Sequence, residues 1–146
     1  MAEIRFEQVA GERMVEEWRL VHNFVVPPAA MSVEAARERV GRNRLENVYL
    51  GDVLVGCSTV RPPQGVGGVA TVIARVLPEY RRRGIGAATY ERALAHARVL
   101  GAEGIETCVL AANDDGLRFA ERAGFVEVER YVLDGENDLW VDLRLG

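Results

Sequence analysis

The chain has 146 residues, 49% of them hydrophobic and 27% charged, and a formal net charge of −4, which is enough for one domain, 1–146, to bury a core without disulfides or metals. An acidic total argues against general nucleic-acid binding, so any affinity for an anion has to be local. Two cysteines, Cys57 and Cys108, and two histidines, His22 and His96, cannot assemble a metal-ligand set, and no apolar run is long enough for a leader or a membrane span, so the expectation is a reduced, cytoplasmic protein with no metal, no membrane and no nucleic-acid partner.

EIRFEQV, Glu3 to Val9, alternates as a half-buried strand does. Met14, Trp18, Val21 and Val25 then recur at helical spacing until Pro27-Pro28, which cannot continue a helix. Ser32 is placed to cap a second helix, VEAARERV, whose Val33, Ala36 and Val40 share a face. NVYLGDVLVGCSTV reads as two antiparallel strands joined at Gly51-Asp52, and RPPQGVGG as a flexible connection. VATVIARV, Val69 to Val76, is apolar on both faces and therefore expected at the centre of a sheet.

A longer helix from Ile85 to Leu100 is closed by Gly101, and GIETCVL, Gly104 to Leu110, follows as a strand parallel to Val69–Val76. NDDGLRFAERAGF supplies Asn113 or Asp114 as a cap, a short helix and Gly124 as its stop. FVEVERYVL and LWVDLRL alternate as two last strands, and the second could either close the sheet or pair with a neighbouring copy in a homodimer.

YRRRGIGAATYE, Tyr80 to Glu91, thus falls in a strand-to-helix turn. The first N–H groups of a helix are unpaired and carry about half a positive charge, which makes the turn an anion site. Gly84 and Gly86 let the anion approach and Arg81, Arg82 and Arg83 add fixed charge. Neither a P-loop nor the dinucleotide fingerprint is present, because no GK[ST] follows and the glycine spacing differs. Taken alone, RRRGIG is as well explained by a solvated charge run on a glycine turn.

The order of RRRGIG after a central strand, a long helix, a strand, Asn113 and then AGF resembles the Gcn5-related N-acetyltransferase (GNAT) family over the whole chain. The resemblance implies a mixed α/β fold: a mostly antiparallel central sheet of about seven strands with a splayed parallel pair and four flanking helices. It implies acetyl-CoA as cosubstrate, with Arg81, Gly84 and Gly86 matching the pyrophosphate motif and Arg82, Arg83, Gly84, Ile85, Gly86 and Ala87 around the phosphates. Backbone groups of Ala74, Arg75 and Val76 would pair with the pantetheine arm, and Asn113 would line the cosubstrate near the thioester. The acceptor, a primary amine of a small molecule or protein, would enter beside the first two helices and attack directly in a ternary complex.

The sequence departs from the family where many members place a proton-donating tyrosine five residues before the phenylalanine of GF: this position is Ala120. That departure motivates an alternative, a non-catalytic acyl-CoA-binding or partner-binding module. For a base the resemblance points to the strand carrying Glu106 and Cys108, which share a face; Glu106 as a base is weighed against a solvated or paired carboxylate, and Cys108 as a nucleophile, which would need a positioned base, against a packed cysteine. His22, at the end of the first helix, is weighed as a base or substrate contact against a partly exposed helix-end histidine. Trp18, Met14 and Tyr90 are read as core, Tyr80 as turn packing and His96 as surface. Asp114, Asp115, Glu121 and Glu127 could attract a cationic amine, or form a solvated face.

Overall fold

The structure is a computed structural model and describes residues 3–146. In chain order the elements are β1 (Ile4–Gln8), α1 (Glu12–Val25), α2 (Val33–Arg42), β2 (Arg44–Leu50), β3 (Val53–Gln64), β4 (Val69–Val76), α3 (Ile85–Val99), β5 (Gly104–Leu110), α4 (Asp114–Arg122), β6 (Phe125–Val132) and β7 (Leu139–Leu145). Single 3-10 turns occupy Pro27–Ala29 and Pro78–Tyr80. The seven strands form one sheet in the order β1-β2-β3-β4-β5-β7-β6, parallel at β4/β5 and antiparallel elsewhere.

Alternation along the strands divides the core between the two faces. On one face Val60, Ala70, Val72, Ile105, Val109, Val141 and Leu143 pack with Tyr90, Ala93 and Ala97 of α3 and Ala120 of α4. On the other, Leu45 and Cys57 pack with Val15, Trp18 and Val21 of α1 and Ala36 of α2. The observed apolar stripe of α1 is rotated from the expected one: Val15, Trp18, Val21 and His22 are buried, and Met14 and Val25 pack only partly buried at its margin. The caps fall where the sequence places them, with Ser32 Oγ accepting from the Ala35 amide at 3.1 Å and Asn113 Oδ1 from the Gly116 amide at 3.0 Å.

Two expectations are corrected. Arg61 to Gln64 is not a loop, because β3 runs on to Gln64; the ladder to β4 skips between Arg61 and Gln64, where Pro62 and Pro63 have no N–H to give. LWVDLRL is not a sheet edge either. It inserts as β7 between β5 and β6, so a homodimer through exposed strand edges would have to use β1 or β6. No helix among the described residues is long and apolar enough to cross a membrane.

What positions the site is the brevity of the parallel pairing. β4 and β5 are bonded only through Val69, Ala70 and Thr71 opposite Gly104, Ile105 and Glu106. Beyond these the strands part, while β4 stays paired to β3 as far as Val76. One edge of β4 from Val72 to Val76 is therefore left without a strand partner.

Candidate functional site

β4 leads through a 3-10 turn into α3, and the backbone between them is bent sharply. Arg82 holds φ +64° and Gly84 φ +78°, and for a non-glycine residue such as Arg82 the left-handed region costs of order 1–3 kcal/mol. Gly84 is the N-cap of α3 and has no side chain to offer it. The N–H groups of the first helical turn are thus left without a side-chain cap at the positive end of a 15-residue helix. Arg81 ties this turn to β4, donating from Nε to the Val76 carbonyl at 3.0 Å, and its guanidinium lies 4.0 Å from the Asp115 carboxylate of α4.

A cleft of about 250 Å³ opens here. Of the residues expected around a cosubstrate, Ala74, Arg75, Val76, Arg81, Arg82, Gly84, Gly86, Ala87 and Asn113 line it. Arg83 and Ile85 do not. Arg83 is exposed with its guanidinium 5.6 Å from the Tyr80 ring centre, and Ile85 is buried against Val48, Val55 and Val76, rooting the helix start in the core. Gly86 is needed for close packing, because a Cβ there would collide with the Phe119 ring.

The opposite wall comes from α4, which brings Arg118, Phe119 and Arg122 to the cleft. Sequence reasoning passed over Arg118 and Arg122. Their four-residue spacing puts both on one helical face, but only the known position of α4 says that this face looks onto the turn. Ala120 is fully buried beneath α4 among Tyr90, Phe125 and Val141 and offers no proton donor. Tyr90 does not line the cleft: it is buried, with its hydroxyl 3.5 Å from Thr107 Oγ1.

On the α1/α2 face of the same strands lies a second hollow, of about 480 Å³. Trp18 and His22 of α1, Arg39 of α2, Thr59 and Arg61 of β3, Ile73 and Arg75 of β4, Cys108 of β5 and Trp140 of β7 line it, with Leu133 and Glu136 from the β6–β7 connection. Arg75 borders both cavities.

His22 is 5% exposed and stacks on Trp18 with ring centres 5.3 Å apart, so the expected partly exposed histidine is corrected to a buried one. It follows Trp18 by four residues on the same buried face of α1. Burial, and then the positive charge of Arg75, pull its pKa from 6.5 to about 4. Its Nδ1 is 2.9 Å from Asn23 Oδ1, whose orientation is set because Oδ1 also accepts from the Met31 amide while Nδ2 donates to the Met31 carbonyl. Neutral His22 therefore carries its proton on Nδ1, leaving the Nε2 lone pair available.

Glu106 lines neither cavity. It sits opposite Arg144 of β7, whose guanidinium is 3.9 Å away. Cys108 does reach the hollow, but burial pushes its thiol pKa up against the pull of Arg61 and Arg75. Cys57 is deeper, at about 12 from burial. His96 is half-buried on α3, away from both cavities. Of the acidic residues on α4 and β6, Asp115 borders the first cavity, while Asp114, Glu121 and Glu127 border neither. No group of three or more metal-ligating side chains is found among the described residues.

The family model described as "Acetyltransferase (GNAT) family" matches residues 12–125. Among solved structures, NAA60 from Arabidopsis thaliana in complex with acetyl-CoA superposes with a TM-score of 0.78 at 17% identity, over 97% of each chain. The ribosomal-protein-S18-alanine N-acetyltransferase from Escherichia coli gives 0.77 at 15% identity, over 98% of this chain and 93% of that one. A Bacillus subtilis acetyltransferase in complex with CoA gives 0.74 at 18% identity, over 98% of each. At such identities the likeness is one of fold. A search of curated proteins finds no match.

Proposed function

The chain belongs to the acetyltransferase (GNAT) family, and on that premise we propose that it is an acyltransferase that transfers the acetyl group of acetyl-CoA to a primary amine by direct attack in a ternary complex. The observation that carries the reading is the uncapped start of α3 at the mouth of the β4/β5 splay. In this reading the first N–H groups of α3 and Arg82 take the phosphates, supported by Arg118 and Arg122 from the facing helix. NAA60 from Arabidopsis thaliana and the Bacillus subtilis enzyme, which share the fold, were solved with acetyl-CoA and CoA respectively.

The free edge of β4 suits the rest of such a molecule. Backbone groups of Ala74, Arg75 and Val76 that face the gap have no strand partner and can pair with amides of an extended arm, as an added strand would. A backbone N–H at this edge can also stabilise negative charge growing on a thioester oxygen. Acetyl-CoA brings the activated thioester. Asn113 borders the same cleft, although its Oδ1 is already engaged in capping α4.

The acceptor would lie in the α1/α2 hollow, which meets the first cavity at Arg75. There His22 is neutral at pH 7 and its Nε2 can accept a hydrogen bond from the incoming amine. The acceptor, an ammonium at pH 7, first gives a proton to water; its neutral nitrogen then bonds to the carbonyl carbon, the carbon–sulfur bond breaks, and the second proton lost from nitrogen also passes to water. With Ala120 where a tyrosine is common in the family, the thiolate departs without a side-chain acid, which a thiol pKa near 8.5 allows at a cost of about 10²–10⁴ in rate. The test is thiol release from acetyl-CoA in the presence of an amine panel, with product mass measured. Amine-dependent thiol release is expected. Tight acetyl-CoA binding with no acetylated product would overturn catalysis in favour of a binding module.

A further inference from the structure

We propose that the acceptor is a small amine that also bears a carboxylate, a free amino acid, and that Arg39, Arg61 and Arg75 are the residues that recognise that carboxylate. The inference rests on the acetyl-transfer reading for the identity of the second substrate, but not for the chemistry of the hollow.

The three arginines come from α2, β3 and β4 and converge on one hollow. None forms an ion pair among the described residues, although every ion pair found there is made by an arginine. Arg75 is 8% exposed. A guanidinium that deep is held at a large desolvation cost unless an anion meets it. Its neighbours do not supply one. Cys57 is a neutral thiol, and His22 is a neutral imidazole. Arg39 is itself pulled down by burial and by the charges of Arg42 and Arg61.

The rest of the lining agrees. Trp140 Nε1 is a buried donor with no hydrogen-bond partner among the described residues. Against three guanidiniums stands a single lining carboxylate, Glu136, which is exposed at the rim. A hollow made of donors and positive charge repels a simple alkylammonium and fits a ligand that brings its own anion; arginine's planar fork matches a carboxylate in two-point contact. Because Arg75 also borders the cleft assigned to the cosubstrate, the anion would sit a few atoms from the reacting amine, which places both groups on one small molecule.

The measurement uses intrinsic fluorescence, since Trp18 and Trp140 are the protein's two tryptophans and both line the hollow. The common L-amino acids, their amides, their decarboxylated amines and a tripeptide amide are titrated with coenzyme A present. At least one amino acid should bind about tenfold or more tightly than its own amide and amine. Arg61→Met and Arg39→Met should each weaken that binding by about tenfold, with coenzyme A affinity by calorimetry unchanged, and Arg61→Glu should reverse the preference toward the amine. Equal or tighter binding of the amides, amines or tripeptide amide, or an unchanged affinity in Arg61→Met, overturns the proposal, as does the absence of binding by any amino acid. If coenzyme A fails to bind, the acetyl-transfer reading falls instead, and the same titration without it still decides the hollow.

Discussion

Two groups of arginines stand on opposite sides of strands β2 to β4, and their electrostatic states are opposite. On the α3 face Glu46 is 4% exposed and accepts from Arg92 Nε at 2.6 Å and from Arg44 at 2.9 Å. On the α1/α2 face Arg39, Arg61 and Arg75 surround a hollow with no carboxylate in ion-pair range of them among the described residues. Alternation alone separates the two sets, since Ser58 and Val60 lie on the side of Arg44, Glu46 and Arg92, and Thr59 and Arg61 on the side of the α1/α2 hollow. The comparison shows that this fold neutralises its buried charge where the charge is structural. Where charge is left unmet, next to the splayed strands, the proposed carboxylate of the acceptor would be the missing partner.

Acid should strain the two regions in different pH windows, and the larger effect belongs to the open one. His22 has a folded pKa of about 4 against 6.5 for the free group. Its pKa is depressed by folding, so the stabilisation is complete above pH 6.5 and is lost as the pH falls toward 4, when a fourth positive charge enters the hollow. At 1.36 kcal/mol per unit the loss is roughly 3 kcal/mol. Urea midpoints measured across this window should fall in the native protein and stay flatter in His22→Gln. An equal slope in the variant would mean that another group is responsible.

The closed region should respond to loss of its carboxylate. Burial raises the Glu46 pKa, but hydrogen bonds from Arg92 and Arg44 outweigh it and hold it below the ordinary 4.5. This stabilisation is present above pH 4.5 and disappears only at lower pH. Glu46→Gln keeps the shape and removes the charge, and should cost about 1–3 kcal/mol at pH 7. The lower end of that range is expected, because the Arg44 and Arg92 side chains are 31% and 46% exposed and can turn to water. A urea midpoint unchanged from the native protein would show that the triad contributes nothing.

Local signals in the sequence were enough for the element order and for the turn. RRRGIG lies between a strand and a helix, and Ser32 and Asn113 each cap the helix that follows them, within a few residues of chain. The arginine hollow depends on register and helix placement instead. Arg39, Arg61 and Arg75 belong to separate elements, and nothing near any of them in sequence says that they share a cavity. The same limit hid Arg118 and Arg122, and it left Glu106 as a candidate base although its strand position points it to Arg144. Pro62-Pro63 misled for a local reason, since prolines usually end strands and here sit where the ladder is already interrupted.

The smallest expected effect is the one that separates the two regions most cleanly. Arg75→Met removes a charge from a site where no carboxylate of the protein pairs with it, and methionine can fill the space along the same stem. Replacing a buried ion by an apolar residue is often neutral or stabilising when no partner is left behind. The variant should therefore match the native urea midpoint or exceed it by up to about 1 kcal/mol at pH 7. It should also raise the His22 pKa, readable by NMR titration, because a positive charge that lowers it is gone. Loss of stability comparable to that of Glu46→Gln would show that Arg75 is as fully paired within the protein as Arg92, and the distinction between a closed and an open arginine cluster would not stand.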